Sequence, residues 1–289
     1  MLGISPRHKG IFYIVLSAFC FACMSAFVSL AGDVPTIQKS FFRNLVALAV
    51  ALGVLIKDKQ GIRPSSLKNI PMLLARSLFG TIGILCNFYA VDHLMLSDAS
   101  MLNKMSPFFA VLASCILLKE KIHLPQILTL IGAFAGSLFI IKPSLNNMAL
   151  LPSLVGLCGG LCAGIAYTYV RKLGLRGERG PVIVFTFSCF SCLTALPFIL
   201  FDYSPMTIFQ LLALLGAGLA ATGGQFSITA AYCNAPAREI SVYDYSQVIF
   251  TAAIGFFLFG DRPDLYSIIG YILICSMAVV NFRYHNRKK

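Results

Sequence analysis

The chain has 289 residues, of which 58% are hydrophobic and only 12% charged, with a mean hydropathy of +0.82 and a net charge of +12. A soluble domain carries about 25% charged residues, so this composition argues against a soluble enzyme. The basic residues are spread over short loops between apolar runs rather than gathered in one patch, which argues against nucleic acid as a partner.

Apolar runs of roughly 20 residues recur along most of the chain, the length a helix needs to cross a bilayer. The pattern predicts an all-α polytopic membrane protein with ten transmembrane helices, at 11–31, 36–56, 71–91, 96–118, 124–142, 150–171, 181–201, 206–229, 237–259 and 264–282. Arg7 and Lys9 precede the first run, but a second spanning run follows soon after, so the first is read as a span rather than a cleavable signal. Gly32-Asp33, Lys142-Pro143, Arg179-Gly180-Pro181 and Asp202 punctuate junctions. Most of the ten cysteines lie inside apolar runs and act as small hydrophobes. Cys20-x2-Cys23 and Cys189-x2-Cys192 lack the second pair of a zinc site, so no metal and no cofactor are expected.

Span 2 carries Arg43 and Asn44 about two turns in, and a snorkelling or structural arginine is favoured there over a ligand. Span 3 carries Arg76 near its inner end, read as interfacial, and then Asn87, Phe88 and Tyr89. Span 4 has a polar stripe of Ser100, Asn103, Lys104, Pro107 and Ser114 at three- and four-residue spacing, on one helix face. Lys104 lies roughly 12 Å into that span at 1.5 Å per residue. It either snorkels to the outer surface or binds an anionic group or an acid.

A charged turn, Lys119-Glu120-Lys121, follows. Its acid is read as a helix-end charge that orients loops. Span 6 brings Tyr167 and Tyr169, which with Phe88 and Tyr89 form either an aromatic wall or packing. Gly156-x2-Gly159-Gly160-x3-Gly164 in span 6 and Gly216-x-Gly218-x4-Gly223-Gly224 in span 8 predict close helix packing. Asn87 and Gln225 are either helix glue or cavity lining. Span 9 carries Ser241, Tyr243, Asp244 and Tyr245. Asp244 is either held by tyrosine hydroxyls for structure or is the proton-coupling candidate, since an ionisable group inside a bilayer is costly unless it has a task.

Loop charges set the orientation. With the N-terminus inside, 17 basic residues fall in inner segments and 3 in outer ones, so both termini are expected in the cytoplasm. The chain also repeats itself. At an offset of 141, Thr81 meets Thr222, Gly83 meets Gly224, Ala90 meets Ala231, Ser100 meets Ser241 and Glu120 meets Asp261. Five spans per copy is an odd number, so the second copy enters upside down, giving a 5+5 inverted repeat with halves at 1–145 and 146–289. On straight helices, Lys104 and Asp244 fall on opposite sides of the midplane, about 10 Å apart along the membrane normal, so a direct ion pair is not expected.

The sequence resembles the drug/metabolite transporter superfamily, specifically its ten-span EamA-like family. Phe42-Arg43-x3-Ala47 carries the resemblance in span 2, and Tyr89-Ala90, Ser97, Ala99, Pro107, Leu118-x-Glu120, Gly132 and Gly136 carry it further on. Ala230-Ala231, Ile240, Leu258-x-Gly260-Asp261-Arg262 and Gly270 repeat it in the second half. The resemblance implies a central cavity lined by spans 1, 3, 4, 6, 8 and 9. The sequence departs from it in having a proline, Pro107, in only one of the two copies, and charge at Lys104 and Asp244.

The expected function is secondary, alternating-access transport of a small polar metabolite, zwitterionic or charged, such as an amino acid or its derivative, in or out across the cytoplasmic (inner) membrane. The expected substrate-binding set is Lys104, Asn103, Ser100, Asp244, Tyr245, Tyr243, Ser241, Asn87, Gln225, Tyr89 and Tyr167. Lys104 would hold a carboxylate while Asp244 holds an amine or a proton. The expected partners are the small-molecule substrate, membrane lipid and protons, with the chain a monomer or loose dimer. The competing classes are a channel-like facilitator and an intramembrane enzyme. Against the enzyme, His8, His93, His123 and His285 all sit at or beyond span ends, and there is no HExxH or paired intramembrane aspartate.

Overall fold

The computed structural model describes residues 6–58, 61–93, 102–141, 150–260 and 265–286, and within them the chain is helical with no strand. The helices are α1 (Pro6–Leu30), α2 (Thr36–Lys57), α3 (Ile70–His93), α4 (Ser106–Leu118), α5 (Leu124–Ile141), α6 (Leu150–Leu175), α7 (Gly180–Phe201), α8 (Ile208–Asn234), α9 (Ala237–Asp244), α10 (Ser246–Ile254) and α11 (Leu265–Asn286). Among the described residues, seven helical stretches are long and apolar enough to cross a membrane: Pro6–Leu30, Thr36–Lys57, Leu67–Asn87, Leu150–Leu175, Gly180–Phe201, Ile208–Asn234 and Ala237–Leu258. Shorter apolar helices run over Ser106–Leu118, Leu124–Phe139 and Ile268–Tyr284. Large apolar side chains cover the outside, with Phe201 91% and Phe257 82% exposed. In water such a surface would aggregate; in hydrocarbon it is solvated, so this is an integral membrane protein.

Local chemistry sets the helix ends. Thr207 and Gln210 close a capping box at the start of α8. Pro107 and Pro181 sit in the first turns of α4 and α7, where a missing N–H costs nothing. Gly32 links α1 to α2 with φ +62, a left-handed backbone that a side chain would strain.

Helix pairing is the main organising feature. The chief partners are α1 with α8, α3 with α6, α5 with α11, α2 with α7, and α4 with α6. Glycines in α6 and α8 allow the closest approaches. A Cβ at Gly164 would meet the Ala110 backbone nitrogen at 2.7 Å, and one at Gly159 would meet the Gly83 carbonyl at 3.2 Å. In α8, a Cβ at Gly224 would strike the Phe21 ring at 2.6 Å and one at Gly218 the Val46 side chain at 2.6 Å. Both stripes therefore do what their spacing predicts: α6 seats α3 and α4, while α8 seats α1 and α2.

Candidate functional site

Two helical segments are interrupted where they meet inside the bundle. Ahead of α4 the backbone turns at Lys104-Met105, with the Met105 N–H bonded to the Leu102 carbonyl at 3.2 Å. Between α9 and α10 the break is at Tyr245, with the Val248 N–H bonded to the Tyr245 carbonyl at 3.0 Å. Met105 (φ −73, ψ −15) and Tyr245 (φ −65, ψ −15) adopt nearly the same backbone. Only the first break has a neighbouring proline, Pro107, and the lack of one in the second half does not leave that half straight.

The breaks touch through their side chains. The Lys104 ammonium donates to Gln247 Oε1 at 2.7 Å and lies 3.8 Å from Asp244 Oδ2. The Tyr245 hydroxyl donates to the Lys104 carbonyl at 3.0 Å, satisfying a backbone acceptor freed at a helix end. Asp244 and Tyr245 are buried. This pairing corrects the expected 10 Å separation. That estimate took both spans as straight ladders, whereas both are broken at these residues, and the lysine stem bridges what remains.

A second charged group lies beside it. Arg43 on α2 and Arg76 on α3 are 9% and 3% exposed, within electrostatic range of each other and of Tyr167. Arg76 donates to Gln225 Oε1 at 3.4 Å, and its guanidinium lies 4.1 Å over the Phe187 ring. It is therefore not interfacial: α6 and α7 pack over α3 and enclose it. Arg43 forms no hydrogen bond or ion pair among the described residues, and its Nε is buried without a partner. Tyr167 lies within electrostatic range of Asp244 as well.

The remaining predicted residues divide. Tyr167 stacks on Tyr232 with centroids 5.0 Å apart, and Ser241 is buried beside Tyr232. Gln225 belongs with Arg76. Asn103 is half-buried just before the first break. Asn87 lies on the α3–α6 seam, its backbone nitrogen 3.1 Å from a Cβ built at Gly159. Tyr243 points the other way, toward Arg7 and Asn281. Tyr89 is 37% exposed and stacks on His93, apart from the buried group. Tyr169 stacks on Phe79. Tyr89, Tyr167 and Tyr169 thus belong to separate pairs, and the Phe88 side chain lies outside those described. Ser100 lies outside the described residues. Sequence reasoning missed Gln247 and did not foresee that Arg43 and Arg76 are buried; the available signal was that arginines inside spans are costly wherever they face lipid.

At the end that loop charges place inside, ion pairs cross between helices. Glu120 lies 3.6 Å from the Arg171 guanidinium and 3.9 Å from that of Arg238, and Arg7 lies 3.9 Å from Glu239. Lys119, at φ 56, turns the chain so that Glu120 faces these arginines rather than the neighbouring Lys121. Arg179 clamps Asp58 and the Gly61 and Arg63 carbonyls. Glu178 accepts from Ser65 and from the Asn69 amide at 2.9 Å.

Interrupted helices that meet at a buried ion pair, in a bundle whose exterior is apolar, fit the plan of a membrane transport protein. The chain belongs to the EamA-like transporter family, which matches it twice, over residues 8–142 and 150–283, and so to the drug/metabolite transporter superfamily. It is 33% identical over 273 residues to the pseudopaline exporter CntI of Pseudomonas aeruginosa strain UCBPP-PA14, covering 94% of this chain and 95% of that one. It is 24% identical to a riboflavin transporter of Brucella anthropi, covering 93% and 97%. It is 26% identical to solute carrier family 35 member G1 of Mus musculus, covering 92% and 76%. A solved crystal structure superimposes with a TM-score of 0.82 at 16% identity, covering 97% of this chain and 98% of the other, which is a likeness of fold.

Proposed function

We propose that this chain is an alternating-access secondary transporter of a small polar, amino-acid-derived metabolite. In this reading it spans the cytoplasmic membrane ten times, with both termini inside and two inverted five-helix halves, 1–145 and 146–289. The helix pairing supports that plan. If spans 1 to 5 correspond to spans 6 to 10, then α1 with α8 and α6 with α3 are equivalent contacts, while α2 with α7 and α5 with α11 are each their own equivalent. Among the described residues, seven long and three shorter apolar helices overlap the ten expected spans, which supports that count. An inverted pair can exchange conformations and so alternate which side is open.

The observation that carries the site assignment is the Lys104–Asp244–Gln247 contact between two broken helices. Such a pair can open only if something replaces each partner. A substrate carboxylate competes for the Lys104 ammonium, and a proton or substrate amine competes for Asp244. The metabolite-carrying names of the relatives support a small-molecule cargo, and the exporter among them favours the outward direction.

Flux in proteoliposomes loaded with a pH dye tests this, using zwitterionic, cationic, anionic and neutral metabolites. Saturable flux with a proton signal, both lost in D244N, is the expected result. Linear, unsaturated flux unaffected by D244N would make the protein a channel-like facilitator instead.

A further inference from the structure

The buried charge of the bundle does not balance. Of the eleven acidic residues in the chain, Asp244 alone lies deep in a predicted span; the other ten sit at span ends or in loops. Against it stand three cations inside spans, Lys104, Arg43 and Arg76. Asp244 is taken by Lys104. That leaves two guanidiniums, within electrostatic range of each other, with no acidic partner among the described residues. Two like charges enclosed in a bundle with no acid beside them are unfavourable, and an anionic occupant relieves that cost.

Arginine at lipid-facing or interfacial positions would snorkel to the headgroups, but Arg43 and Arg76 do not. They face inward, beside Tyr167 and the Lys104–Asp244 contact. Arg76 is held by Gln225 and by the face of Phe187, which fix its direction without neutralising it. Arg43 keeps its donors unspent. The planar guanidinium fork matches oxyanions with paired oxygens, the geometry of carboxylates.

We propose that Arg43 and Arg76 form an anion-binding subsite, and that the transported metabolite carries at least two carboxylates, so that it enters with net negative charge rather than as a neutral zwitterion. The proposal rests on the carrier reading and sharpens its substrate class. The first carboxylate seats between the two arginines. A second reaches Lys104, and binding it releases Asp244.

The test uses the whole chain, purified in detergent, with malonate, succinate and citrate as probes against chloride at equal ionic strength. Thermal stability of wild type is expected to rise saturably with a di- or tricarboxylate. The concentration required should increase roughly tenfold or more in R43Q, as expected when a charge-assisted contact is removed. R43K, which keeps the charge but not the fork, should fall between the two. R43Q is the cleaner variant, since Arg43 supports no other side chain. A carboxylate response equal in wild type and R43Q, or absent from wild type, overturns the subsite. Flux of the same probes separates this failure from that of the carrier. Saturable flux that prefers neutral or cationic metabolites and is unchanged in R43Q sinks the subsite and leaves the carrier. Absence of saturable flux for every metabolite tried sinks both.

Discussion

The two charged centres of this bundle are built from similar residues and are in opposite states. At the broken helices, Lys104 has an acid, an amide and a satisfied carbonyl around it. Elsewhere in the bundle, on α2, Arg43 is buried and has no hydrogen-bond or ion-pair partner among the described residues. The comparison separates two uses of charge inside a membrane. A compensated pair stabilises one conformation and must be broken for the protein to move. An uncompensated pair raises the free energy of the empty protein and is relieved by cargo. Burial and charge type are shared, so what distinguishes the centres is whether the chain supplies the counter-charge.

Removing one partner should therefore act with opposite sign at the two centres. D244N leaves the Lys104 ammonium buried beside an amide and should destabilise the folded protein by about 3–5 kcal/mol, as for other broken buried pairs. The double variant K104Q/D244N should recover much of that loss, measured by thermal unfolding in detergent. R43Q in the absence of carboxylates should be neutral or stabilising; a loss as large as that of D244N would show that Arg43 is structural and that the centres do not differ.

Smaller changes sharpen the picture. Gly164→Ala places a Cβ 2.7 Å from the Ala110 nitrogen and should cost about 1–3 kcal/mol through backbone displacement. Because Gly164 lies one turn before Tyr167 on α6, that variant should disturb both centres together, read out as loss of stability and of flux. Y245F removes only the hydroxyl bond to the Lys104 carbonyl and should cost about 0.5–1.5 kcal/mol, confined to the paired centre. E120Q, at the partly covered end of the bundle, should lower stability by less than about 1 kcal/mol. Its larger effect should be on the rate of conformational exchange, since Glu120 joins Arg171 on α6 to Arg238 on α9.

Much of the scaffold was legible because lipid imposes simple rules. Runs such as 36–56 and 181–201 match α2 and α7 within a residue at each end, since apolar length and flanking charge decide both. The glycine stripes were legible for the same reason: four-residue spacing states which face is small. The helix breaks were not. Pro107 marks a helix start just after the first break, but Asp244-Tyr245-Ser246 holds neither Pro nor Gly, and the contact from the Tyr245 hydroxyl that satisfies the Lys104 carbonyl is tertiary. Missing them misplaced Lys104 relative to Asp244. Arg76 was misread because distance from a span end was taken for exposure, whereas α6 and α7 cover it. The uncompensated charge could have been counted from the sequence, but only the structure shows Arg43 and Arg76 buried and within electrostatic range of Tyr167.

The most direct test of this division of labour is a single kinetic comparison in proteoliposomes, using whichever metabolite wild type carries. Initial rates against concentration, with the proton signal recorded in parallel, would be measured for wild type, R43Q and D244N. The account predicts that R43Q raises KM roughly tenfold or more while retaining maximal rate and proton signal, since it removes binding alone. D244N should lose maximal rate and proton signal while still giving the carboxylate-dependent rise in thermal stability. Two variants that change the same parameter by the same amount would contradict it, because the two centres would then be one.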